Sequence, residues 1–380
     1  MLYGYRFFSL TGFLLIAVAY GLARFSWGLM LPDIMHDMRL SLSLAGTLSA
    51  ASFAAYSVAI LFSPACTALT GPRASALLAG LFAIAGMVTI AMANGTLWLM
   101  IGVICAGIST GLVSPPLAEA VSRQVAENQR PVVNTVINAG TGGGIILSAL
   151  AVLMLTGSWR ITYLSFALFA LIPVLMVLKT IPATTPDKRA LPTQSFSAFL
   201  TPALRPPLVV AFLSGIASAA YWTFGPVMFH ALADMSDKEI TLAWLVTGVT
   251  GCAGLFTGHL INRFGVNLVH RMMQVLTMAT FILLSFASYS PLLGYLVAGL
   301  YGFAYITLSG VLLVSGIAAT DSSPATGLSA VFLLLAMGQV AGAAVFGILL
   351  DHMDVPVALM TFSGVALMAM RLPCTKAQPG

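Results

Sequence analysis

Gly21 to Pro32 reads GLARFSWGLMLP, and Gly215 to Pro226, 194 residues further on, reads GIASAAYWTFGP. The register pairs Gly21 with Gly215, Ala23 with Ala217, Trp27 with Tyr221 and Pro32 with Pro226. Two loops fix the same offset independently. Residues 64–73 read PACTALTGPR and residues 258–265 read GHLINRFG, so that Gly71 and Gly265 are again 194 apart. Pro131 and Pro324 agree within one residue. One spacing recovered at separate places implies an internal duplication of about half the chain.

Working outward, each copied stretch sits in an apolar run. Hydrophobic residues make up 59% of the 380 residues and charged residues 7%, against about 25% charged in a soluble domain. Mean hydropathy is +1.00. These values define an all-α integral membrane protein, because a helix satisfies its own backbone in lipid. Apolar runs bounded by Gly, Pro or charge predict twelve spans, at 9–31, 43–63, 74–93, 97–118, 132–155, 161–181, 207–230, 240–260, 268–289, 291–317, 325–350 and 355–371. The longest polar interruption, 182–206, carries five prolines and divides the spans six and six. The expected organisation is therefore a six-helix bundle at 1–181, a linker at 182–206 and a second six-helix bundle at 207–380. The first span runs into Pro32 and Asp33 without a cleavage site, and is expected to stay as a helix rather than be removed as a signal peptide.

Basic residues orient the bundle. Arg6, Arg73, Arg123, Arg130, Lys179, Lys188, Arg189, Arg205, Arg263, Arg271, Arg371 and Lys376 fall on one side, and Arg39, Arg160 and Lys238 on the other. This bias places both termini and the linker in the cytoplasm, and a bacterial cytoplasmic membrane is the expected location. The net charge of +5 is spread over many loops, which argues against nucleic acid. The four cysteines form no CxxC pair, and no disulfide framework is expected.

On these residues the chain resembles the major facilitator superfamily over almost its whole length. Gly258, Asn262, Arg263 and Gly265 match that family's loop signature, and the Trp159-Arg160 pair before the sixth span is similar to it as well. The first copy keeps Gly71 and Arg73 but has Ala68 and Leu69 where acidic and basic residues are usual. Gly140, Gly142, Gly143 and Gly144 resemble the family's glycine-rich fifth helix, without the Gly-Pro step of its antiporter form. The resemblance implies two pseudo-symmetric bundles, alternating access to a central site, and these loops as gating elements. It implies a small-molecule substrate and a gradient as the energy source, a proton being one candidate coupling ion. No cofactor is implied, the lipid bilayer is the surrounding partner, and a monomer is expected.

Arg24 interrupts the first apolar run, and an intramembrane Arg is by default a functional hypothesis. With Tyr20 at i−4 and Trp27 at i+3, a regular helix puts all three on one face. Ser218, Tyr221 and Trp222 in the seventh span, Tyr301 and Tyr305 in the tenth, Gln339 in the eleventh and Asn138 in the fifth complete the candidate substrate site. Each also has a plain reading, since aromatic pairs at helical spacing pack and amides bond across helices. None of the eleven acidic residues falls at mid-span, and Asp33 lies about 13 Å along the helix from Arg24. This favours a small organic anion, which a guanidinium holds through two parallel hydrogen bonds.

Three alternatives stand beside it. An efflux carrier for neutral or cationic compounds would use the aromatic walls alone. A soft-metal carrier is suggested by Met228, His230 and Met235, although Met ordinarily fills apolar helices. An intramembrane serine hydrolase is suggested by the GxSxG at Gly107–Gly111, with His230 or His259 as base, but that motif requires a strand, a sharp turn and a helix. Neither a P-loop Lys nor a ring of pore charges is present, which argues against an ATP-driven pump and a channel.

Overall fold

The computed structural model describes residues 2–155, 158–183, 202–287, 290–320 and 324–375. Most of the expected linker, with Lys188 and Arg189, and the tail from Lys376 lie outside the described residues. Among the described residues there is no strand. The chain begins with α1 (Leu2–Ile16), a π-helical segment (Ala17–Phe25) and α2 (Ser26–Met38), which together form the first span. Then follow α3 (Leu42–Thr70), α4 (Pro72–Ala91), α5 (Thr96–Gln124), α6 (Arg130–Asn138), α7 (Gly140–Met154) and α8 (Trp159–Thr180). The second half holds α9 (Arg205–Ala233), α10 (Asp237–Gly251), a 3-10 turn (Cys252–Phe256), α11 (Thr257–Phe264), α12 (Val266–Ser285), α13 (Pro291–Ala318), α14 (Pro324–His352) and α15 (Val355–Arg371). Eleven continuous helices among the described residues have the length and composition to cross a membrane, and Val355–Arg371 is a shorter apolar helix at the place of the twelfth expected span.

These helices form two compact units, one of Met1–Ile34 and Ala51–Thr193, the other of Met35–Ala50 and Gln194–Gly380. Residues 35–50 group with the second unit although they precede the linker in sequence.

The 194-residue offset holds in three dimensions. α4 and α12 are each 20 residues long and start 194 apart. Each is entered through a glycine in the left-handed region, Gly71 at φ 83° and Gly265 at φ 78°. Only glycine adopts that backbone without strain. The Gly71 N–H donates to the Thr67 carbonyl and the Gly265 N–H to the Ile261 carbonyl, both at 2.8 Å. Arg39 and Asp234, one residue off the same register, both turn left-handed (φ 51° and 47°).

Within each unit the duplication preserves one close helix crossing. A Cβ on Gly21 would lie 2.3 Å from the Gly144 backbone, and one on Gly144 would lie 2.3 Å from the Ala17 carbonyl. In the second unit a Cβ on Gly215 would lie 2.1 Å from the Leu335 carbonyl, and one on Gly338 would lie 2.0 Å from that of Phe212. These are repeat mates. Apolar side chains gain nothing by leaving lipid for each other, so such helices associate through close backbone approach.

The end of α15 is tied back to its own unit. Asn267 Oδ1 accepts from the Cys374 and Thr375 amides at 2.8 and 3.0 Å, and its Nδ2 donates to the Thr375 carbonyl at 3.1 Å. Cys374 is fully buried there, and burial pushes its thiol up to about 11. At pH 8 the thiolate is therefore on the order of a thousandth of the population, and alkylation of Cys374 is expected to be slower than at Cys66. Asn267→Ala frees the strap and is expected to raise the Cys374 rate at least about tenfold, read by site-resolved mass spectrometry. For the crossings, Gly144→Leu and Gly338→Leu are each expected to abolish monodisperse protein in detergent. Gly258→Ala, whose Cβ meets nothing within 4 Å, is expected to behave as wild type.

Candidate functional site

Arg24 lies in the π-helical segment, and that winding rearranges its neighbours. Hydrogen bonds from i to i+5 bring residues five apart together, and such segments occur often at functional positions. The Tyr20 and Phe25 rings, five residues apart, come to 6.4 Å. A regular helix would have set Phe25 aside; the π winding brings it to Arg24. The Arg24 guanidinium is 5.3 Å from the Phe25 ring centre, 4.8 Å from that of Phe53 and 4.4 Å from that of Tyr56. Tyr20 completes the group, edge-on to Tyr56 at 6.5 Å. Arg24 is 7% exposed. Cation–π contacts in a desolvated setting are worth about 2 kcal/mol or more, so the rings offset part of the burial of this charge. The segment is supported from α5, where the Thr110 hydroxyl lies 2.9 Å from the Ala19 carbonyl.

Phe53 and Tyr56 are absent from the sequence-derived set. Their signal was available, as two aromatics at i, i+3 in α3. Trp27 follows in α2 and is buried, while Asn138 ends α6 with an exposed side chain.

The second unit gathers the remaining candidates around four rings with nearly parallel neighbours. Trp244 and Tyr221 are 6.0 Å apart at 3°, Tyr221 and Tyr301 3.7 Å at 18°, and Tyr301 and Tyr305 6.1 Å at 10°. Trp222 stands edge-on to this file, 5.1 Å from Tyr305. The polar atoms bond across helices. Tyr221 OH meets Thr247 Oγ1 at 2.6 Å, Tyr301 OH donates to the Ser218 carbonyl at 3.1 Å, and Gln339 Nε2 donates to Ser218 Oγ at 3.3 Å and Tyr305 OH at 3.1 Å. Tyr221 and Tyr301 are fully buried, Trp222 is 2% exposed and Tyr305 is half-buried. Gln339, at 1% exposed, is as buried as the inner rings, and Tyr305 is the more exposed member of the cluster. Trp244 and Thr247 went unnoticed in the sequence because they lie in an otherwise ordinary apolar helix.

The other sequence candidates separate cleanly. Gly71 and Gly265 start helices, Gly258, Asn262 and Arg263 are exposed, and Arg73 is half-buried. Arg160 lies 4.0 Å over the Trp159 ring and donates to the Ala93 carbonyl at 3.0 Å. The GxSxG pattern lies within a helix: Ser109 is buried in the middle of α5, with no strand before it and no elbow. Its glycines serve packing, a Cβ on Gly107 falling 2.2 Å from the Ser52 carbonyl. Met228 and Met235 are interior side chains and His230 is exposed; among the described residues no group of three His, Cys, Asp or Glu is placed to hold a metal.

Of the two repeats of membrane-spanning helices, one holds a buried cation among aromatics and the other a neutral aromatic and amide cluster. The profile of the Major Facilitator Superfamily matches residues 13–324, and the chain belongs to that family. It is a secondary membrane transporter of small molecules and not an enzyme. Solved structures share the fold. The xylose transporter XylE from E. coli is 14% identical with 96% of each chain covered and a TM-score of 0.76. The nucleoside transporter NupG is 15% identical, covering 96% of this chain and 98% of that one, with a TM-score of 0.75. A POT family transporter in complex with 5-aminolevulinic acid is 13% identical, covering 97% and 94%, with a TM-score of 0.79. No match was found among curated protein sequences.

The Gln339 bridge has a direct test. Gln339→Leu leaves the Ser218 and Tyr305 hydroxyls without their shared donor and is expected to cost about 1–3 kcal/mol, a fall of several degrees in thermal midpoint. Gln339→Glu restores an acceptor but no donor, and is expected to recover little of the loss.

Proposed function

We propose that the chain carries a small organic anion and that Arg24 is the residue that meets the anionic group. The supporting observation is the arrangement at Arg24: a buried guanidinium on a π-wound segment, with the rings of Phe25, Phe53 and Tyr56 against it. A guanidinium is a planar fork of N–H donors, the geometry that suits a carboxylate or another oxyanion. The proposed driving force is an ion gradient. The proposed setting is a bacterial cytoplasmic membrane with both termini inside, in keeping with twelve basic residues on one side against three on the other.

A thermal-stabilisation screen of the purified protein against small carboxylates, phosphate and sulfate esters, neutral sugars, lipophilic cations and metal salts tests this reading. A carboxylate or other organic anion is expected to stabilise the wild type. Arg24→Ala is expected to abolish the shift and Arg24→Lys to weaken affinity about tenfold or more, because an ammonium lacks the planar fork. Stabilisation by lipophilic cations instead, retained in Arg24→Ala, would overturn the anion reading in favour of drug efflux.

A further inference from the structure

The first span and its repeat mate wind differently. Ala17–Phe25 is π-helical, whereas the matching residues of α9 lie inside an unbroken α-helix from Arg205 to Ala233. Passing from i→i+5 to i→i+4 hydrogen bonds skips one carbonyl, because consecutive amides then reach back to acceptors two residues apart. The Ser26 amide reaches back five residues to the Gly21 carbonyl. Counting back four from residue 27 gives Ala23. The carbonyl passed over at the exit of the segment is therefore that of Leu22.

Ser26 serves that carbonyl. Its hydroxyl donates to the Leu22 carbonyl at 2.5 Å. Ser26 and Leu22 are both buried, and Tyr163 of α8, buried as well, brings its OH to 3.4 Å from Ser26 Oγ. No water replaces a missing amide in hydrocarbon, so a skipped carbonyl is costly unless a side chain meets it. A serine can make the same i−4 bond in regular helix, as Ser57 does to the Phe53 carbonyl at 2.8 Å within α3. There the hydroxyl adds to the helix ladder; at Leu22 it takes the place of the amide. In the second copy the mate of Ser26 is Ala220, which has no hydroxyl, and α9 keeps its regular winding through it.

We propose that Ser26 is the positioning residue that holds the π winding, and with it the face on which Arg24 meets the rings of Phe25, Phe53 and Tyr56. Without the hydroxyl, each amide of the segment moves by one acceptor, the residue-26 amide passing from Gly21 to Leu22, and regular winding pairs every carbonyl. The same move carries Phe25 away from Tyr20, since residues five apart on a regular helix point roughly 140° apart. Thr110 steadies the middle of the segment at the Ala19 carbonyl, whereas Ser26 acts at its exit. The consequence for transport rests on the reading of Arg24 as the anion-binding residue; the winding itself does not.

Single-particle cryo-electron microscopy of the full-length protein in nanodiscs reads the winding directly. Ser26→Ala is expected to show the residue-26 amide on the Leu22 carbonyl and the Phe25 ring withdrawn from Tyr20. Ser26→Thr, which keeps the hydroxyl, is expected to retain the π segment. Ser57→Ala removes the same kind of bond from α3 and is expected to leave the segment unchanged. A π segment retained in Ser26→Ala would overturn the proposal and assign the winding to the ring contacts of Arg24. Regular winding in Ser57→Ala would overturn it too, since loss of any such serine would then suffice.

Cross-linking in native membranes covers the case in which the alanine variant does not survive purification. With the four native cysteines changed to alanine, the pair Tyr20→Cys and Phe25→Cys is oxidised. Five residues of regular helix rise roughly 7.5 Å, beyond the limit of about 7 Å between the Cα atoms of a disulfide. Adding Ser26→Ala is expected to cut the disulfide yield about fivefold or more, the smallest population shift that an unpaired buried carbonyl drives. Ser26→Thr is expected to preserve it. An unchanged yield in Ser26→Ala would overturn the proposal. Neither readout uses a ligand, so the anion reading and this one fail separately.

Discussion

Close backbone approach between the first and fifth helices of each repeat is the contact on which the other features rest. In lipid, apolar side chains are no better buried against protein than against acyl chains, so association has to come from packing and from polar groups. Gly21 against Gly144 and Gly215 against Gly338 bring helix axes close enough for backbone to meet backbone. In the second unit Ser218 lies about one turn beyond Gly215 and Gln339 directly follows Gly338, which places the amide within reach of Ser218 and Tyr305. In the first unit the same crossing falls inside the π-helical segment, next to Arg24.

The repeat is symmetric in its frame and asymmetric in its chemistry. α4 and α12 match in length, entry glycine and capping hydrogen bonds, so the duplicated sequence still folds the same way where turns and crossings are set. The departures are local. The first copy carries a π-wound segment with Arg24, where the second has regular helix and Ser218. The second copy carries the file from Trp244 to Tyr305. The buried Arg24 faces aromatic rings in one unit, and hydroxyl and amide groups bond across helices in the other.

The spans, the six-and-six division and the duplication were legible in the sequence, because length, hydropathy and a constant 194-residue offset are one-dimensional quantities. The entry glycines were legible for the same reason, since a left-handed turn demands a residue type. Arg24 also announced itself, because a charge in an apolar run is anomalous whatever surrounds it. Its surroundings were not legible. Periodicity presumes 3.6 residues per turn, whereas the π-wound segment brings the Phe25 and Tyr20 rings to 6.4 Å, and Phe53 and Tyr56 meet Arg24 from another helix. Trp244 joined the second cluster through a stacking contact that no local spacing encodes, and Asp351 met Ser43 across 308 residues. The sequence by itself determined which segments enter the membrane and that they do so twice over; the tertiary structure alone decided which polar and aromatic groups meet, because those contacts depend on the winding and crossing of helices far apart in the chain.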